Sequence, residues 1–166
     1  TGKLRYIGIT GYPLTALRYV LQRAEVDTIL SYCRYSLNDT ALEGMIPALR
    51  ERGVGVISAS PLSMGLLTER GAPDWHPAPQ ALKDACAVAA AYCRERGADI
   101  SRLALQFAVA NPEIATTLVG TANPENLRKN VRWMEEPMDL ELLAQVQEIL
   151  RPVRGMTWPT GRPENA

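Results

Sequence analysis

The sequence predicts an α/β fold built on parallel strands, and three observations carry that reading. Four short runs of apolar and β-branched residues recur along the 166-residue chain, at 4–10, 26–31, 54–60 and 114–119. Stretches with helical apolar spacing separate them. The runs are nearly continuous rather than alternating, most clearly in Val54-Gly55-Val56-Ile57-Ser58-Ala59-Ser60. That is the pattern of strands covered on both faces. Hydrophobic residues at 46% and charged residues at 22% suffice for a core, so one domain over residues 1–166 is expected. An open doubly wound sheet and part of a β/α barrel both satisfy the rhythm. A Rossmann fingerprint is absent, because Gly53-Val54-Gly55 precedes a strand instead of joining strand to helix.

The first run, Leu4 to Thr10, is followed by a helix over Leu14 to Gln22, with Leu14, Leu17 and Leu21 on one side. After the second run, Thr40-x-x-Glu43 spells a capping box for a helix over Thr40 to Arg52, striped by Leu42, Met45, Ile46 and Leu49. Pro47 conflicts with that helix, since a proline inside should kink or delay it. Gly53 closes it as a left-handed cap. The Pro/Gly-rich segment from Pro61 to Pro79 is a long loop, and loops of that length are usually functional or mobile. Helices are expected over Gln80 to Arg96 and Ser101 to Ala110, split by Gly97 and stopped by Asn111-Pro112. Pro124 to Trp133 and Leu140 to Leu150 complete the set, the last capped by Asp139. The tail from Pro152 is irregular.

Charge and cysteine content exclude several functions. Eighteen basic residues balance eighteen acidic ones, which argues against a nucleic-acid or anionic-membrane surface. No apolar stretch reaches the roughly 18 residues of a membrane span, and no secretory leader is expected from the opening residues. Thr1 in place of Met suits a processed product or a fragment. Cys33, Cys86 and Cys93 are odd in number and lack C-x-x-C spacing, as expected of small buried hydrophobes in a reducing cytoplasm. With His76 as the sole imidazole, no metal site is expected.

The strand ends read Thr10-Gly11-Tyr12, Ser31-Tyr32-Cys33, Ser60-Pro61-Leu62 and Gly120-Thr121-Ala122-Asn123. Such hydroxyls, amides and small residues suit a carboxamide, a ribose or a pyrophosphate. Small residues before the helix at Pro124 also make a phosphate cradle. Ordinary strand-to-helix turns use the same residues. No strand end carries a general base with an orienting partner. His76, in the long loop, reads as a solvated or packing residue, while Asp27 and Glu43 suit a strand start and a helix cap.

Three motifs nevertheless stand in order. Gly2-Lys3-Leu4-Arg5-Tyr6-Ile7-Gly8-Ile9-Thr10 resembles the fifth-strand signature of the aldo-keto reductases. Ser60-Pro61-Leu62-Ser63-Met64-Gly65 resembles their seventh-strand turn, and Val119-Gly120 through Asn123-Pro124-Glu125-Asn126-Leu127 to Asn130 resembles their eighth-strand motif. The resemblance implies the second half of a (β/α)8 TIM barrel, with about four parallel strands and their helices. It implies an NAD-dependent oxidoreductase acting on an aldose such as L-galactose at C1, giving the lactone, a step of ascorbate synthesis.

The roles carried over are cofactor roles. Thr10 and Gly11 stand at the nicotinamide carboxamide, and Ser31 stands in for a glutamine on the sixth strand. Ala59 occupies a position where many members carry an aromatic that stacks on the nicotinamide. Ser60 and Leu62 match the pyrophosphate turn. Gly120, Thr121, Ala122, Asn123, Asn126 and Asn130 match the adenosine end. Without a cation at Gly120 or Asn126 for a 2′-phosphate, NAD is expected over NADP, although Arg128 and Lys129 lie close by. Trp158 is a candidate substrate contact, or equally a hydrophobic lid anchor. The family's catalytic Asp, Tyr, Lys and His belong to the first half of the barrel and have no counterpart here, so this chain alone is expected to be inactive. The alternative is a non-catalytic half-barrel that binds a nucleotide or a protein. An open half-barrel should pair with the other half or with itself.

Overall fold

A computed structural model describes residues 2–160. Four strands, β1 (Gly8–Gly11), β2 (Thr28–Tyr32), β3 (Gly55–Ala59) and β4 (Thr116–Leu118), form one sheet in the order β1-β2-β3-β4, every pair parallel. The helices are α1 (Leu14–Leu21), α2 (Ile46–Glu51), α3 (Gln80–Glu95), α4 (Ile100–Val109), α5 (Pro124–Glu135) and α6 (Leu140–Leu150), with 3₁₀ turns at Ala41–Met45, Ser63–Gly65 and Arg151–Val153. Sequential parallel strands each joined by helical connections are half of the arrangement that closes an eight-stranded barrel.

The strands bury one face only. Ile9, Gly11, Ile29, Ser31, Val56, Ser58 and Thr117 point to the helices, and Leu17, Leu21, Leu42, Leu49 and Ile114 pack among them. The opposite face carries Thr10, Leu30, Tyr32, Ile57, Ala59 and Leu118, all half-exposed or exposed. The expected cover on both faces is thus replaced by one covered face and one open one, the open one being the side that a closed barrel turns inward. A second core lies between α3, α4, α6 and the strand-end loops, centred on Leu66, Leu67, Leu82, Cys93, Ile100 and Leu150.

Three local expectations are corrected. The first strand starts at Gly8, not Leu4, and a side chain at Gly8 would collide with Thr28, 2.3 Å from an added Cβ. Asp27 fastens that start by accepting from the Ile7 amide at 2.7 Å. The Thr40 side chain caps nothing; instead Asp39 Oδ1 accepts from the Ala41 amide at 2.8 Å. The helix expected from Thr40 begins only at Ile46, after a 3₁₀ turn over residues 41–45, so Pro47 delays it as expected and stands in its first turn, where no amide hydrogen is needed. Gly53, at φ 68°, makes the expected left-handed stop, and the Val54 amide reaches back to the Leu49 carbonyl at 2.9 Å.

Candidate functional site

The turn after β3 is wound unusually tightly. Ser60, Ser63 and Met64 have φ of 58°, 46° and 56°, left-handed values that non-glycine residues hold only under constraint. The constraints are visible. The Ser60 amide donates to the Leu118 carbonyl at 3.1 Å, tying β3 to β4. Ser63 Oγ donates to Asn38 Oδ1 at 2.6 Å and lies 3.1 Å from Ser36 Oγ, all three side chains buried. His76 Nδ1 accepts from the Ala78 amide at 3.1 Å, so the hydrogen sits on Nε2, which donates to the Ser63 carbonyl at 3.1 Å. Burial lowers the pKa of His76, and the Ser63 carbonyl partly offsets that. The imidazole is therefore a neutral brace under the turn, the packing role rather than the solvated one.

Between this turn and α5 opens a cleft of about 470 Å³. Of the sequence-predicted residues it brings together Ser60, Leu62, Gly120, Thr121, Asn126 and Asn130. A Cβ at Gly120 would meet nothing within 4 Å, so the backbone there is open to a ligand. Asn126 sits in the first turn of α5, whose amide end favours an anion. Asn123 is spent on the helix, its Oδ1 accepting from the Glu125 amide at 2.9 Å, and Ala122 is exposed beside the cleft without lining it.

The remaining expected residues lie elsewhere. Thr10 is on the open face two strands away. Gly11 faces α1, where an added Cβ would touch Leu17 at 3.2 Å. Ser31 is a correction. It is fully buried on the helix-covered face, opposite Ser58 in register, and neither hydroxyl has a partner. Because strand side chains alternate, Tyr32 and not Ser31 reaches the open face.

Trp158 is 4% exposed. Its ring stacks on Tyr12 at 5.1 Å, meets His76 edge-on at 4.9 Å, and its amide donates to the Tyr12 hydroxyl at 3.2 Å. That geometry fastens the tail by packing, and the residue also borders a smaller cleft of about 330 Å³ with Thr15, Arg34 and Thr160.

Sequence reasoning missed Glu69, Asp99 and Trp133, which line the main cleft together with Lys129, noted there only as a nearby cation. Asn126, Lys129, Asn130 and Trp133 are spaced i, i+3, i+4 and i+7, so one helix face would have revealed Trp133. Lys129 Nζ lies 3.5 Å from Asp99 Oδ2 and 4.9 Å from the Trp133 ring centre, while Arg128 pairs with Glu125. The donor set of hydroxyls, amides, open backbone and a helix N-terminus fits the phosphates and riboses of a dinucleotide.

The family model described as the aldo/keto reductase family matches residues 1–151. The chain is 50% identical to L-galactose dehydrogenase of Arabidopsis thaliana over 99% of its own length and 54% of that protein. It is 27% identical to D-threo-aldose 1-dehydrogenase of a Pseudomonas species, over 89% of this chain and 46% of that one. The fold superposes on the holo form of an aldo-keto reductase from Bacillus halodurans with a TM-score of 0.67 at 24% identity, covering 99% of this chain and 55% of the other. The chain therefore spans about half the length of the relatives it matches. The family employs nicotinamide cofactors. The chain belongs to the aldo/keto reductase family.

Proposed function

We propose that this chain is the cofactor-binding half of an NAD-dependent aldose 1-dehydrogenase whose substrate is L-galactose or a close relative. The observation that carries the reading is the convergence of Ser60, Leu62, Gly120, Thr121, Asn126 and Asn130 on one cleft. The 50% identity to L-galactose dehydrogenase supports the substrate class. When bound, the cofactor supplies hydride chemistry at sugar C1, leading to a lactone. The chain's own residues bind and orient it: Ser60 and the open backbone at Gly120 toward phosphate, Asn126 and Asn130 toward the adenosine. That contribution is proximity rather than acid–base catalysis. Proton transfer falls to residues outside this chain, so the chain alone does not turn over. The three thiols suit a cytoplasmic, reducing setting.

Preference for NAD over NADP rests on charge. Glu69 and Asp99 line the cleft, and its one lysine already faces Asp99. A further phosphate dianion would meet two carboxylates without a free cation among the described lining residues. Calorimetric titration tests this: NADH should bind at least about tenfold more tightly than NADPH. Equal affinity, or tighter NADPH, contradicts the preference. Incubating the purified 166-residue chain with L-galactose and NAD should give no NADH; its appearance contradicts the division of labour.

A further inference from the structure

The smaller cleft of about 330 Å³, between the start of α1 and the tail, shares no lining residue with the cleft after β3. Arg34 forms part of its wall. That side chain is only 11% exposed, and its guanidinium carbon lies 5.4 Å from the centre of the Tyr12 ring. Among the described residues its carboxylate partner is Asp39, at 2.7 Å. Asp39 stands outside the cleft lining and also accepts from the Ala41 amide. Arg34 Nε has no hydrogen-bond partner among the described residues. A guanidinium carries five N–H donors, and leaving one buried and unpaired is costly. Asp39 thus balances the charge of Arg34 without using all of its donors.

The rest of the wall has matching chemistry. Pro13 is the N-cap of α1, and the helix has no side-chain cap and no acidic residue in its first turn, so its amide end favours an anion. Thr15, Thr157 and Thr160 add three hydroxyls, and the stacked pair of Tyr12 and Trp158 adds apolar surface. The volume is that of a small-molecule site. From this combination we infer that the cleft is a second binding site, and that its ligand is a sugar acid, a small polyhydroxylated carboxylate. The carboxylate engages Arg34 and the first amides of α1, the threonines take hydroxyls, and the aromatic pair faces the carbon skeleton. A bare anion leaves the threonines unused, and a neutral polyol leaves Arg34 unanswered.

Gluconate, sorbitol and acetate separate these contributions, because sorbitol lacks the carboxylate and acetate lacks the hydroxyls. Titration of the 166-residue chain with gluconate, followed by amide NMR shifts, should saturate at about millimolar concentration. The shifts should centre on Thr15, Arg34 and Thr157. Sorbitol and acetate should each bind at least about tenfold more weakly. Thr15→Glu places a carboxylate at the helix start, where it favours the fold, and should weaken gluconate at least about tenfold by repulsion. Thr157→Val, a change at an exposed position, should weaken gluconate and leave acetate unchanged. Acetate binding as tightly as gluconate would overturn the sugar-acid assignment. Shifts centred on residues 60–69 and 119–130, no saturation by about 20 mM, or an unchanged affinity in Thr15→Glu would overturn the site itself.

Discussion

His76 sits edge-on to Trp158 with both ring nitrogens committed, one accepting from the Ala78 amide and the other donating to the Ser63 carbonyl. Burial lowers its pKa in the folded chain, the Ser63 carbonyl partly offsets that, and the charge of Lys83 adds to the lowering. The unfolded chain takes up that proton near the ordinary value of about 6.5. The resulting stability is complete above that value and is lost as pH falls below it toward the folded value. Urea unfolding at several pH values between 8 and 5 should show this slope. His76→Phe should flatten it while costing about 1–3 kcal/mol for the stranded amide and carbonyl; an unaltered slope assigns it to another group. The cysteines behave as their spacing suggested. All three are buried and free, and burial pushes the Cys33 and Cys93 thiols up to about 11 and Cys86 up to about 12. Thiol-specific reagents at pH 8 should therefore label the chain only after denaturation, and fast labelling of folded protein contradicts this. At residue scale the sequence failed at Ser31. Motif alignment leaves strand phase loose by one position, and one position is enough to turn a side chain from the open face to the covered one.

Among the elements, the helices were the most legible because their caps are written in side chains. Asp139 Oδ1 accepts from the Leu142 amide at 2.9 Å and Asp99 Oδ1 from the Ser101 amide at 2.8 Å. Asp139→Ala should cost about 1 kcal/mol in thermal or urea unfolding, and no loss would contradict the cap. The start of α2 was not legible. A capping-box spelling and a proline competed there, and the outcome was set by Asp39, whose carboxylate also faces Arg34 at 2.7 Å. The long loop over 61–79 was recognised as a loop, but not as one braced by a buried Ser36–Asn38–Ser63 cluster and His76. The contacts that tie Ser63 to Ser36, Asn38 and His76 span 13 to 27 residues, beyond the reach of local pattern. Trp158 holds the tail onto the same cluster, and Trp158→Ala should cost about 3–5 kcal/mol. A loss under about 1 kcal/mol in urea unfolding would show that the tail is not fastened by its ring.

For the whole molecule, continuous apolar strands were legible from the sequence, yet their inward face is covered by nothing among the described residues. Leu118 is 47% exposed. The outer surface of α5 adds Leu127, Val131 and Met134 at 52%, 58% and 40%, spaced i, i+4 and i+7. Contiguous apolar surfaces of this kind mark an interface. We propose that they pack against the remaining half of a barrel, or against a second copy when the chain is alone. Sedimentation of the isolated 18.2 kDa chain should then show mass rising with concentration, and a concentration-independent monomer would contradict it. The proposed seat of the dinucleotide is local to one end of the molecule, the cleft between the β3 turn and α5. Amide hydrogen exchange with and without NADH tests it directly. Slowed exchange confined to residues 60–69 and 119–130, with α6 unchanged, is the expected result; unaltered exchange there, or protection centred elsewhere, would contradict it.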